Sequence, residues 1–193
     1  MAKGKHASKR QWLQRHLSDP FVKAATARGY RSRAAYKLMG IDDKDRFLKP
    51  GQTVVDLGAA PGSWTQVVCE RLTDRSGLRR GHILALDLLP MAPLEGVHFI
   101  QGDFHDQAVS DALAEQLAGA RVDVVLSDMA PNLSGIAVSD AARSLHLCEL
   151  ALDFAMHHLS DQGVFLVKVF QGSGYSQYVE AVKKAFRSVA TRK

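Results

Sequence analysis

The sequence predicts an α/β fold in which helices cover both faces of a mostly parallel sheet. Strand-like and helix-like patterns alternate from residue 50 onward, the strand-like runs are almost continuously apolar, and DLGAAPGSWTQ, residues 56–66, has the glycines and proline of a tight strand-to-helix junction. Alternation of this kind joins parallel strands through crossover helices, and near-continuous apolar strands are those buried on both faces. The 193 residues, 46% hydrophobic, suffice for one substantial core. Residues 1–193 are therefore expected to form a single domain, with a basic helical extension over 1–48 and the core over 49–193.

In chain order, residues 8–48 read as basic helices, with Ser32 a cap for RAAYKLMGI. Pro50-Gly51 is a turn, and TVVDL is a β-branched run ending at Gly58. SWTQVVCERL places Trp64, Val67, Val68 and Leu72 at helical spacing, so a helix is expected from about Ser63. Further strands are expected at HILALD (82–87), VHFIQGD (97–103), VDVVLSD (122–128) and GVFLVKVF (163–170). Between them DALAEQLAG and the stretch from about Ser139 to Leu159 have helical periodicity. The chain has no internal repeat and no low-complexity tract.

No apolar run approaches the roughly 20 residues that span a bilayer, and no apolar segment marks the N-terminus for secretion. Cys69 and Cys148 lack C-x-x-C spacing, and the eight histidines form no H-x-x-x-H pair, so neither a disulfide framework nor a metal site is expected. A reducing cytoplasm fits best. Charge is segregated: through Lys37 there are ten Lys or Arg against one acid, Asp19, whereas the remainder has 15 basic against 19 acidic residues. A cationic arm of this kind commonly neutralises phosphates, which makes nucleic acid the leading partner. A solvated tail and an Arg-rich targeting presequence are the alternatives.

In an open parallel sheet, ligands sit beyond the carboxyl ends of the strands. The strand-terminal residues are Asp56 with Gly58, Asp87, Asp103, Asp128 and the near-terminal Lys168. Any one acid there has a bland explanation as a cap or turn residue; four at one sheet edge are harder to dismiss. The spacing from Gly58 to Gly62 is not G-x-G-x-x-G, and Pro61 fixes the backbone shape within it where a dinucleotide fold needs glycine freedom. Small residues let a cofactor approach the backbone, and the following helix N-terminus favours a carboxylate. Asp87 can accept hydrogen bonds from two ribose hydroxyls, and Asp103 one from an adenine amino group. A cofactor with a carboxylate, a ribose and an adenine but no pyrophosphate is S-adenosylmethionine. At the reaction end, SDMAPN (127–132) lacks the D/N-P-P-Y/F/W stretch of enzymes that methylate exocyclic base nitrogens. Lys168, between Val167 and Val169, is costly in a central strand unless it reaches a mouth or a partner.

SRAAYKL with Lys37, VVDLGAAPGSW, LDLLPM, QGDF, SDMAPNLSG and FLVKVFQG resemble, in order and spacing, the FtsJ/RrmJ family of ribose 2'-O-methyltransferases. The resemblance runs from about Trp12 to the C-terminus. It implies a Rossmann-like S-adenosylmethionine-dependent methyltransferase fold and a Lys-Asp-Lys-Glu catalytic set, of which Lys37, Asp128 and Lys168 are present. It also implies cofactor contacts at Gly58, Gly62, Trp64, Asp87, Asp103 and Asp128. The implied substrate is a uridine ribose in the A loop of large-subunit ribosomal RNA, within the assembled ribosomal subunit. Because Trp12 and SDPFVKAA belong to the family pattern, the arm is expected to be part of the enzyme rather than a presequence. KGKHASKRQWLQRH, Arg31 and Arg33 are candidates for phosphates; Trp12 and Tyr30 could stack on bases, but packing is the favoured reading for each.

The fourth member, a Glu in an S-x-E-x-Y segment, is absent, and Glu180 is no substitute. The chain ends at SVATRK, ahead of the family's C-terminal hairpin, and is read as truncated. GVFLVKVF is then expected to present an unpaired edge. A form extended by the hairpin is expected to be the more stable; equal denaturation midpoints would refute this. Two other classes stay open on the sequence. A non-catalytic RNA-binding assembly factor could keep the cofactor fold, and a nicotinamide oxidoreductase would share the sheet but not the glycine spacing. No long coiled-coil seam marks obligate assembly, so a monomer is expected.

Overall fold

The computed structural model describes residues 19–132 and 134–192. Two short helices, α1 (Pro20–Ala27) and α2 (Ala34–Asp45), precede the sheet. Asp19 caps α1 by accepting from Phe21 N at 2.8 Å, with Pro20 in the first turn where its missing N–H costs nothing. Ser32 Oγ accepts from Ala34 N at 3.2 Å, but the N-cap of α2 is Arg33, one residue after the Ser32 cap that was expected. The part of the basic arm before Asp19, including Trp12, lies outside the described residues.

Five strands follow: β1 (Thr53–Leu57), β2 (His82–Asp87), β3 (Val97–Gln101), β4 (Val122–Ser127) and β5 (Leu159–Val167). They alternate with α3 (Ser63–Arg71) after β1, α4 (Gln107–Leu117) after β3 and α5 (Ala137–His158) after β4, and α6 (Tyr175–Ala185) follows β5. The sheet order is β3-β2-β1-β4-β5 with every pairing parallel, as the apolar strands required. The chain moves outward from β1 to β3, then returns to the other side of β1 for β4. That reversal opens a crevice at the carboxyl ends of β1 and β4.

Side chains along a strand alternate between the faces, and the two cores show it. Val54 of β1 packs with Trp64, Val67, Val68 and Leu72 of the α3 side, under Ala35 and Leu38 of α2. Val55 and Leu57 pack the opposite way with Leu113 and Leu117 of α4 and Ala151 and Phe154 of α5. Each fully buried Val or Leu contributes roughly 1.5–3 kcal/mol relative to exposure.

Two expectations are corrected. The fifth strand begins at Leu159, not Gly163, because a bulge absorbs the turn-like SDQG: Val122 pairs Leu159 while Val124 pairs Val164. The same strand ends at Val167, so Lys168 stands one residue past it. Among the described residues β5 pairs with β4 alone, so it is the outer strand whose unpaired edge GVFLVKVF was expected to present.

Candidate active site

The crevice holds a cavity of about 380 Å³, within the range of small-molecule sites. Its walls come from the carboxyl ends of four strands, including Gly58, Asp87, Asp103 and Asp128, and from Arg143 and His146 of α5. Gly58 has φ +80°, and a Cβ built there would lie 2.7 Å from Met129 Cγ and 2.8 Å from Met129 Cα. Only glycine lets the loops after β1 and β4 approach this closely. Gly58 N and Ala59 N both donate to Leu86 O, at 2.8 and 3.0 Å, which binds the β1 loop to the end of β2.

Asp87 completes that junction. Its Oδ2 accepts from Ala60 N at 2.8 Å and its Oδ1 from Leu89 N at 2.8 Å, so both oxygens are fixed and each keeps a lone pair for a hydroxyl. Asp103 lies two residues beyond β3, with Oδ1 accepting from His105 N at 3.0 Å and from His105 Nδ1 at 2.6 Å. These bonds, the main-chain one first, hold its carboxyl below the usual carboxylate range.

Asp128 follows β4, its N–H donating to Leu57 O at 3.1 Å. Lys168 Nζ lies 2.6 Å from Asp128 Oδ1 and donates to Asp128 O at 2.8 Å; Lys168 N donates to Ser127 O at 2.9 Å. Both side chains are mostly buried. Phe170, exposed on the loop after β5, has its ring centroid 5.3 Å from the same Nζ. The structure thus joins Asp128 and Lys168 at the cavity rim.

Other candidates are placed differently. Lys37 is exposed on α2 and makes no hydrogen bond or ion pair among the described residues. Gly62 caps α3 with φ +105°, and a Cβ there would lie 2.5 Å from Arg31 Nη1 and 2.8 Å from Met91 Sδ. The Trp64 indole is 3% exposed and donates from Nε1 to Ala34 O at 3.0 Å. It belongs to the core, so what Trp64 can offer a ligand is main chain. Asp56 is turned toward α3, away from the cavity, with Oδ2 accepting from Thr65 Oγ1 at 2.7 Å.

A model of the FtsJ-like methyltransferase family matches residues 30–193. The chain belongs to that family. Curated relatives from Burkholderia mallei (strain SAVP1) and Burkholderia thailandensis, both named ribosomal RNA large subunit methyltransferase E, are 55% identical over 98% of this chain and 89% of their own length. A chain from Plasmodium falciparum solved as a ribosomal RNA methyltransferase superposes with a TM-score of 0.76 at 34% identity, covering 85% of this chain and 91% of that one. The MycE methyltransferase of mycinamycin biosynthesis, solved with magnesium and SAH, shares the fold at a TM-score of 0.52 and 14% identity over 86% of this chain and 38% of its own. The chain is an FtsJ-like methyltransferase with the Rossmann-like sheet expected for S-adenosylmethionine. The cavity fits such a cofactor: Gly58 lines it, and the carboxylates of Asp87, Asp103 and Asp128 stand at three separate strand ends.

Several positions of this FtsJ-like methyltransferase differ in role from the sequence reading. Arg31, a phosphate candidate, donates from Nη1 to Pro61 O at 3.0 Å and Ala92 O at 2.7 Å and from Nη2 to Pro93 O at 3.0 Å. It clamps the β2–β3 loop, whose Leu88 and Leu89 wall the cavity, onto the β1–α3 turn. Arg33 pairs with Asp19. Tyr30, by contrast, has the packing role favoured for it: its hydroxyl donates to Glu70 at 2.7 Å and its ring meets Tyr36 edge-on. Burial, then the Glu70 bond, pushes that hydroxyl up to about 12. Arg143 and His146 were missed because helix periodicity identifies a face, not the cavity it borders. Among the described residues no helix is long and apolar enough to cross a membrane.

Arg31→Ala is expected to weaken cofactor binding about tenfold, as for charge-assisted bonds, while the salt dependence of RNA binding stays unchanged. A phosphate contact would instead lower the slope of log affinity against log salt by about one. Titration of both ligands at several salt concentrations separates the two.

Proposed function

We propose that this protein transfers the methyl group of S-adenosylmethionine to a ribose 2'-hydroxyl of large-subunit ribosomal RNA, at a uridine of the A loop within the assembled ribosomal subunit. The observation that carries this reading is the Lys168–Asp128 pair at the rim of the cofactor-sized cavity, at 2.6 Å. The 55% identical relatives, ribosomal RNA large subunit methyltransferases E, support ribosomal RNA as the substrate class. The protein acts as a single-domain monomer in the cytoplasm, with residues 1–48 as the arm and 49–193 as the catalytic core.

When bound, S-adenosylmethionine supplies a sulfonium methyl already activated for transfer. The protein must hold the hydroxyl in line and accept its proton. Gly58 offers main chain in the cavity wall to the methionine end, Gly62 shapes the turn behind it, Asp87 accepts from the ribose, and Asp103 accepts from the adenine amino group. Trp64 contributes through its main chain. Lys168 is the candidate base. As a free amine it has two N–H groups and one lone pair, and both N–H groups are engaged by Asp128, on Oδ1 and on the main-chain O. The lone pair is then the remaining direction, available to the hydroxyl. Once protonated, the ammonium is paired with the Asp128 carboxylate. Lys37 positions the hydroxyl or a neighbouring phosphate from α2.

The test is transfer of labelled methyl from S-adenosylmethionine to undermethylated large ribosomal subunits, followed by alkaline hydrolysis, which a 2'-O-methylated linkage resists. Label in a resistant dinucleotide from the A loop supports the reading. Label on a base, or cofactor binding without transfer, overturns it, the latter in favour of an RNA-binding assembly factor.

A further inference from the structure

The hydrogen bonds on Asp103 are unevenly divided. His105 N and His105 Nδ1 both converge on Oδ1, while among the described residues Oδ2 accepts nothing. Because a carboxylate only accepts, Nδ1 must carry the proton, which fixes the imidazole tautomer. The ring is held from its other side as well: His146 of α5 lies beside it with centroids 5.3 Å apart and planes 33° from parallel. Both imidazoles line the cavity next to Asp103. Asp87 contrasts with this, since its two bonds fall on different oxygens.

A half-exposed aspartate on a loop would otherwise rotate about its terminal torsion, which is broad and roughly two-fold, and present either oxygen with a loss of orientation. Two donors on one oxygen remove that freedom and leave the other oxygen as a directed acceptor. We infer that His105 is a positioning residue that orients Asp103 Oδ2 toward the exocyclic amino group of the cofactor's purine, and so makes the pocket selective for a 6-aminopurine over purines lacking that donor. The inference rests on the assignment of Asp103 to adenine made above.

The consequence is a loss of discrimination rather than a uniform loss of binding. Two ligands separate the cases: S-adenosylhomocysteine, and its analogue in which hydrogen replaces the 6-amino group. For His105→Ala, affinity for S-adenosylhomocysteine should fall roughly fivefold while affinity for the analogue stays constant, so their ratio shrinks by the same factor. His105→Asn, whose side-chain N–H can occupy the position of Nδ1, should restore most of the ratio. Equal losses for both ligands, or no loss for either, would overturn the role of His105. Asp103→Ala distinguishes that failure from failure of the underlying assignment. If Asp103→Ala collapses the ratio and His105→Ala does not, the positioning role alone is wrong; if Asp103→Ala leaves the ratio intact, adenine recognition lies elsewhere and the inference falls with it.

Discussion

Lys168→Ala is expected to lower methyl transfer by about three orders of magnitude, within the range for loss of a positioned general base, while cofactor affinity changes by less than about threefold. The separation follows from position. Asp128, Asp87 and Asp103 line the cavity, whereas Lys168 reaches it through Asp128, to which both of its polar contacts run. Removing the amine leaves the cavity wall in place but removes the proton acceptor. Lys168→Arg sharpens the test, because guanidinium retains the cation and the pairing with Asp128 yet stays protonated. If Lys168 served only as a fixed positive charge, the Arg variant would retain substantial turnover; as a base, it should be nearly as inactive as the Ala variant. Single-turnover transfer with both variants, alongside equilibrium binding of S-adenosylhomocysteine, decides the matter. Near-normal transfer by Lys168→Ala removes it from the role.

Much of the fold was legible because strand and helix periodicities do not overlap. HILALD is β2 to the residue, and the β1–α3 junction falls where Gly58 and Gly62 require left-handed backbone. The order of the strands follows from parallel pairing and one reversal, which neither residue type nor spacing states directly. Asp87, Asp103 and Asp128 were readable as wall residues since a carboxylate at a strand end has few structural reasons to recur. What was not readable depends on contacts between distant segments. Arg31 looks like any residue of a basic arm until its guanidinium meets the carbonyls of Pro61, Ala92 and Pro93, 30 to 62 residues away. The imidazole pair of His105 and His146 likewise needs β3 and α5 to be brought together. Trp64 shows the limit of motif transfer: the motif places it beside the glycines, but its side chain completes the core.

Asp56 shows the same limit at the centre of the sheet and leads to the second large effect. It shares the strand-end pattern of the other acids but sits one residue inside β1, so alternation turns it onto the face occupied by Val54 and α3. It is 0% exposed, Thr65 satisfies Oδ2, and Oδ1 has no hydrogen-bond partner. Burial first, opposed by the Thr65 bond and reinforced by the negative charges of Asp128 and Asp87, pushes its carboxyl up to about 7 from an ordinary 3.8. Between these values the folded protein keeps a proton that the unfolded chain releases, so stability falls as pH rises through that window and levels off above it. The full difference is on the order of 4 kcal/mol at about 1.4 kcal/mol per tenfold. His158 acts in the opposite sense: burial lowers it from 6.5, and stability falls as pH drops through its range. Asp56→Asn removes only the first contribution. Its carbonyl still accepts from Thr65, and its amide carries one pH-independent desolvation cost. The difference in unfolding free energy between variant and parent should therefore move in favour of the variant by about 2–3 kcal/mol from pH 5 to pH 8, measured by urea denaturation at each pH. Parallel pH profiles for the two proteins would show that Asp56 is already ionised in the folded state.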